Sequence, residues 1–123
     1  MSELILIVDD ELDTVKLAKR LLEIEGFNVI TAYDGEEALN QVYNEKPILI
    51  LLDIKIPKID GYDVCKKIKE NPDYKDTKII MFTAKVFEKD KIKGKEVGAD
   101  DYITKPFSGD DLVRKIKELL NKK

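Results

Sequence analysis

Ile48-Leu49-Ile50-Leu51-Leu52-Asp53 sets five consecutive aliphatic residues, preceded by Pro47, against a single carboxylate. A short apolar run without alternation reads as a strand buried on both faces, as in parallel sheets. A carboxylate at the end of such a strand is costly to desolvate unless a partner or water meets it. Taken alone, Asp53 also fits a cap or a turn. Two further runs point elsewhere: Leu4-Ile5-Leu6-Ile7-Val8 ends in Asp9-Asp10, and Ile79-Ile80-Met81-Phe82 ends in Thr83. Three buried strands that each deliver a polar group at the C-terminal end imply one shared site.

Outward from these runs, the chain alternates strands with amphipathic segments. Val15, Leu17, Ala18, Leu21, Leu22 and Ile24 recur at helical spacing, and Gly26 supplies the stop. Phe27 to Ala32 is a second, more alternating and less buried strand. Asp34 and Glu37 form a capping box that opens a helix with Ala38, Leu39, Val42 and Tyr43 on one face. The loop from Ile54 to Gly61 leads into a helix with Val64, Cys65 and Ile68, ending near Asn71-Pro72. Lys78 to Phe82 is the fourth strand, Glu88 to Val97 a Lys-rich helix closed by Gly98, and Asp101 to Ile103 the fifth strand. Ser108 to Asp111 caps a last helix whose apolar face is Leu112, Val113, Ile116, Leu119 and Leu120. Five strands alternating with five helices predict an α/β, doubly wound parallel sheet. In such sheets, sites form beyond the C-terminal strand edge, near the topological switch point.

Composition narrows the function. A chain of 123 residues is expected to be one domain, with no room for a second. The net charge of −3 is mild, and the charged residues, 38% of the chain, mix both signs, so nothing advertises nucleic acid. Histidine is absent, which removes His-ligated zinc, a Ser-His-Asp triad and a phosphocarrier histidine. Cys65 is the one cysteine, so no intramolecular disulfide forms, and it reads as a small buried hydrophobe. The N-terminus lacks a secretory pattern and no apolar run approaches membrane-spanning length, so a cytoplasmic location is expected.

If the first and third strands are neighbours, Asp9, Asp10 and Asp53 form a carboxylate cluster. Their mutual repulsion calls for a cation, and all-oxygen ligation favours Mg2+, with Mn2+ as a substitute. Asp9-Asp10 would otherwise cap the following helix. Lys105 follows the fifth strand, where its ammonium can reach the same edge or simply face solvent before the turn at Pro106. Thr83 can donate to a ligand or satisfy local backbone. An aspartate beside a divalent ion, a lysine and a hydroxyl is equipped for phosphoryl transfer, with the carboxylate as nucleophile. No GxxxxGK[ST] loop is present, so the donor is expected to be a phosphoprotein or a small phosphorylated molecule.

These residues stand in stretches that closely resemble the receiver domain of bacterial two-component response regulators: Ile7-Val8-Asp9-Asp10-Glu11, Leu52 to Pro57 with Asp60-Gly61, Thr83-Ala84, Gly98 to Tyr102, and Lys105-Pro106-Phe107. The resemblance covers the whole chain in order and identifies it with stand-alone receivers of the chemotaxis and phosphorelay type. It implies a flavodoxin-like five-stranded sheet in the order 2-1-3-4-5, with no output domain. It implies that Asp53 accepts a phosphoryl group from a sensor histidine kinase or histidine phosphotransfer protein. Mg2+ would then lie at Asp10, Asp53 and the backbone carbonyl of Lys55, with Asp9 acting partly through water. Thr83 and Tyr102 would form a switch pair, Lys105 would contact the phosphoryl group, and Lys105-Pro106 would be cis. Output would pass to a protein target through the face of the fourth helix, fifth strand and fifth helix, as a monomer or a phosphorylation-dependent dimer, without nucleic acid or membrane.

Three positions read as tuning. Lys55 is cationic two residues after Asp53 and, with Lys85, would screen the phosphoryl group from water; alternatively both point to solvent. Ala84 is small, which the family pattern associates with open access. On this reading the chain is no enzyme beyond its own phosphoryl transfer and autodephosphorylation. The competing readings are a receiver-like scaffold that works without phosphate and an aspartate-nucleophile phosphatase of the haloacid dehalogenase type. The phosphatase needs a second acid where Lys55 stands. A flavodoxin-like electron carrier lacks its phosphate loop after the first strand.

Overall fold

Leu49–Leu52 forms β3, and all four of its side chains are buried. The computed structural model describes residues 3–84 and 88–121, the stretch 88–91 by its backbone alone. The remaining strands are β1 (Leu4–Val8), β2 (Asn28–Ala32), β4 (Lys78–Thr83) and β5 (Asp101–Thr104). They form one parallel sheet ordered β2-β1-β3-β4-β5, as expected. The helices are α1 (Leu12–Ile24), α2 (Gly35–Glu45), α3 (Gly61–Glu70), α4 (Glu88–Val97) and α5 (Gly109–Asn121).

Side chains alternate across the sheet, so each buried strand feeds two cores. Ile5, Ile7, Leu49, Leu51, Ile80 and Phe82 pack against Val15, Ala18 and Leu22 of α1 and against Leu112, Ile116 and Leu119 of α5. Leu6, Val8, Ile50, Leu52, Ile79 and Met81 face Ala38 and Val42 of α2 and Val64, Cys65 and Ile68 of α3. Residues buried this completely in β1, β3 and β4 explain why their sequences run apolar without alternation. β2, at the sheet edge, is mostly half-buried.

Local chemistry sets the helix ends. The Asp34 carboxylate accepts from Glu37 N at 2.7 Å, while the Glu37 carboxylate accepts from Tyr33 N, one residue before the cap. Asp60 caps α3 by accepting from Asp63 N at 3.0 Å, and Ser108 Oγ accepts from Asp111 N at the start of α5. Gly26 takes a positive φ of 95° behind α1. Three expectations need correction. Leu17 and Ile24 are 53% and 70% exposed, because α1 turns only a narrow stripe onto the sheet. Phe27 precedes β2, its N–H turned back to Leu22 O, while Thr83 and Thr104 lie inside their strands because parallel pairing continues one residue past the apolar runs. A 3-10 turn at Pro72–Tyr74, capped by the Asn71 side chain, follows α3.

The register positions the site. Val8 lies opposite Leu52, so the next residues, Asp9 and Asp53, emerge side by side. Asp53 N donates to Val8 O at 2.9 Å, carrying the ladder one step beyond β3.

Candidate functional site

Asp9 is fully buried and its carboxylate has two partners. Oδ1 accepts from Glu11 N at 3.0 Å and Oδ2 accepts from Lys105 Nζ at 2.6 Å. The Asp9-Asp10 pair therefore does not cap α1, whose N-cap is Glu11 without a side-chain hydrogen bond. Asp10 faces solvent, and one carboxylate oxygen from each of Asp9, Asp10 and Asp53 lies within 4.8 Å of the other two.

Asp53 is 6% exposed, at the mouth of the sheet. Its Oδ2 accepts from Lys105 Nζ at 3.1 Å, and its Oδ1 accepts from Lys55 N at 3.3 Å. Gly61 opens α3 directly against this residue: any Cβ at position 61 would collide with the Asp53 carbonyl oxygen. A glycine there permits the close approach of α3 to the site loop, whose closure is held by Gly61 N donating to Ile54 O at 2.8 Å.

Lys105 follows β5, and its backbone N donates to Thr83 O at 2.7 Å. Its peptide bond to Pro106 is cis. The ammonium bonds Asp9, Asp53 and Glu11, and lies 5.1 Å from the centroid of the Phe82 ring. Glu11 is a partner that the sequence did not single out; its signal was the third acid in Asp9-Asp10-Glu11.

Protonation follows from this sharing. Burial pushes the Asp53 carboxyl up, the Lys105 charge pulls it down, and the Asp9 charge raises it again, leaving it at about 6 instead of 3.8. Burial opposes the charge on Lys105, yet its bond to Asp9 and the charges of Asp53 and Asp9 outweigh that and raise its pKa. Both partners of one ion pair are thus raised. The reason is geometric: Lys105 sits closest to Asp9, so Asp53 keeps much of its desolvation penalty.

Thr83 is buried at the end of β4 and Tyr102 is half-buried on β5. Met81, two residues before Thr83 on the same sheet face, is the register partner of Tyr102. The Lys55 and Ala84 side chains are exposed, so what Lys55 brings to Asp53 in this structure is its backbone N–H. Lys85 lies outside the described residues.

Three carboxylates (Asp9, Glu11 and Asp53) thus share one ammonium, and Asp10 lies beside Asp9 and Asp53. This excess of hard oxygen donors, with Asp10 and Glu11 facing solvent, fits a divalent cation such as Mg2+. Among the described residues no helix is long and apolar enough to cross a membrane.

Known proteins match this chain over nearly its whole length. Residues 5–117 match the family described as response regulator receiver domain. The chain is 48% identical over 122 residues to the alkaline phosphatase synthesis transcriptional regulatory protein PhoP of Bacillus subtilis, covering 99% of this chain and 50% of that one. It is 46% identical to the probable transcriptional regulator ycf27 of Guillardia theta, covering 98% of this chain and 46% of that one. The chain therefore spans about half the length of these curated relatives. A crystal structure of a CheY-like response regulator receiver domain protein from Methanospirillum hungatei superposes with a TM-score of 0.92 at 36% identity, covering 98% of this chain and 95% of that one.

Proposed function

We propose, from the premise that this chain belongs to the response regulator receiver domain family, that Asp53 is its phosphoacceptor. The observation that carries the reading is the Asp53 carboxylate, buried beside Asp9 and held 3.1 Å from the Lys105 ammonium. A phosphohistidine on a sensor kinase or a phosphotransfer protein is the donor this site suits. An Asp53 oxygen attacks phosphorus, a P–O bond forms as the P–N bond breaks, and the imidazole leaves with the electron pair. The product is an acyl phosphate on Asp53.

Lys105 already spans Asp9 and Asp53, so its ammonium offsets charge on the phosphoryl oxygens without a large rearrangement. Thr83, at the end of β4 on the same sheet edge, donates its hydroxyl to the new group. Asp9, Asp10, Asp53 and the Lys55 carbonyl would hold Mg2+, which supplies further charge neutralisation at the phosphoryl group. Thr83 and Tyr102 share a sheet face, and a shift of the Thr83 hydroxyl toward the phosphoryl group changes the room available to Tyr102. Phosphorylation thereby biases a pre-existing equilibrium of the surface formed by α4, β5 and α5, which contacts a protein target.

The test is incubation of the chain with Mg2+ and acetyl phosphate or phosphoramidate, read by intact mass. A gain of one phosphoryl group that disappears in Asp53→Asn is expected. No Asp53-dependent gain would sink the reading in favour of a phosphate-independent scaffold.

A further inference from the structure

Gly94 lies buried within α4, a helix with few apolar anchors. Of its apolar residues, Ile92 is 55% exposed and Val97 packs half-buried against the core. The Lys93 ammonium sits 4.8 Å over the Tyr62 ring and supplies a further tether to α3. Glycine inside a helix is unfavourable relative to alanine, so its presence in an already weak helix calls for a local reason. The reason is Tyr102. A Cβ at position 94 would overlap the Tyr102 hydroxyl and come within 2.8 Å of Cζ and 3.2 Å of Cε1.

We propose that Gly94 is a positioning residue for Tyr102: the missing side chain on α4 is the slot that admits the tyrosine hydroxyl, so the rotamer of Tyr102 and the seating of α4 change together. Tyr102 anchors this contact from β5, where it pairs with Met81 and packs against the core layer under α2 and α3. In sequence, the start of α4 at Glu88 lies five residues after Thr83. The Gly94 carbonyl also accepts from Ala99 N at 2.9 Å, tying the slot to the turn that leads into β5. A tyrosine that leaves the slot removes a contact that holds α4 to β5. Conversely, a side chain at position 94 displaces the tyrosine whatever the state of Asp53. The trigger for this motion rests on the phosphoacceptor reading; the slot does not.

The chain has five tyrosines, so labelling with 3-fluorotyrosine gives a countable fluorine spectrum, with the Tyr102 line assigned by Tyr102→Phe. Without phosphodonor, Gly94→Ala is expected to move the Tyr102 line while those of Tyr33 and Tyr43 stay in place. With Mg2+ and acetyl phosphate, Gly94→Ala should change the phosphorylation rate by roughly threefold or more, as for residues in direct contact, and should change it little in a Tyr102→Leu background. A fold lost on Gly94→Ala but regained with Tyr102→Leu supports the slot equally. An unmoved Tyr102 line overturns the proposal, as does an equal effect, or equal misfolding, in both backgrounds. If wild type takes up no phosphoryl group, the phosphoacceptor reading fails while the fluorine line still decides the slot.

Discussion

Replacing Asp53 with asparagine should make the metal-free protein more stable at neutral pH, although it removes a hydrogen-bonded ionic contact. Asp53 is 6% exposed, and burial together with the Asp9 charge raises its carboxyl from 3.8 to about 6 against the pull of Lys105. At roughly 1.4 kcal/mol per unit, the ionised carboxylate burdens the folded state by up to about 3 kcal/mol. Between pH of about 4 and about 6 the folded state binds more protons than the unfolded chain. Stability therefore falls as pH rises through that window, and the burden is complete above it. Asparagine is nearly isosteric, neutral and still able to accept from Lys105. The variant should gain about 1–3 kcal/mol at pH near 7.5, and the gain should shrink toward zero near pH 4. Urea unfolding in a chelator measures this as a midpoint shift on the order of 1 M. Millimolar Mg2+ should narrow the gap by stabilising wild type, whose carboxylates it neutralises, more than the variant. A variant less stable than wild type across the range, or a gap that does not change with pH, would refute the electrostatic account.

Lys105→Met removes the ammonium that bonds Asp9, Asp53 and Glu11. In a chelator it should destabilise the fold by roughly 3–5 kcal/mol, the usual effect of stranding buried charge, with Mg2+ restoring part of it; unchanged urea unfolding would contradict that role. Lys55 is exposed beside the site, and if its ammonium screens the phosphoryl group, the acyl phosphate of Lys55→Asn should decay faster than that of wild type. Intact-mass decay curves measure this, and an equal or slower rate leaves the Lys55 side chain a solvent residue.

Much of the architecture was legible because burial writes directly into residue type. Ile5 to Val8, Leu49 to Leu52 and Ile79 to Phe82 are buried on both sides and accordingly apolar throughout. Asp34 and Ser108 announced helix starts because a cap is a local hydrogen bond. Leu17 and Ile24 misled for the complementary reason: helical spacing shows which residues share a stripe, not how wide a stripe the sheet covers. The Asp9 carboxylate does not cap α1 because it stands two residues before the N-cap, Glu11, where it bonds the Glu11 N–H and the Lys105 ammonium.

The class of fold, the strands, and the residue types delivered to their C-terminal ends follow from residue order alone, since these depend on periodicity and local hydrogen bonding. How the charges are shared depends on the assembled fold. Parallel register sets Asp9 beside Asp53, and the chain from β5 swings Lys105 closer to Asp9 than to Asp53. Burial then outweighs the pull of Lys105, and the Asp53 carboxyl stays raised. The approach of α4 to β5 likewise turned Gly94 from an unfavourable helix residue into the space beside Tyr102. Both are contacts between segments far apart or on different elements, and Coulomb and steric terms depend on ångström separations that no one-dimensional pattern encodes.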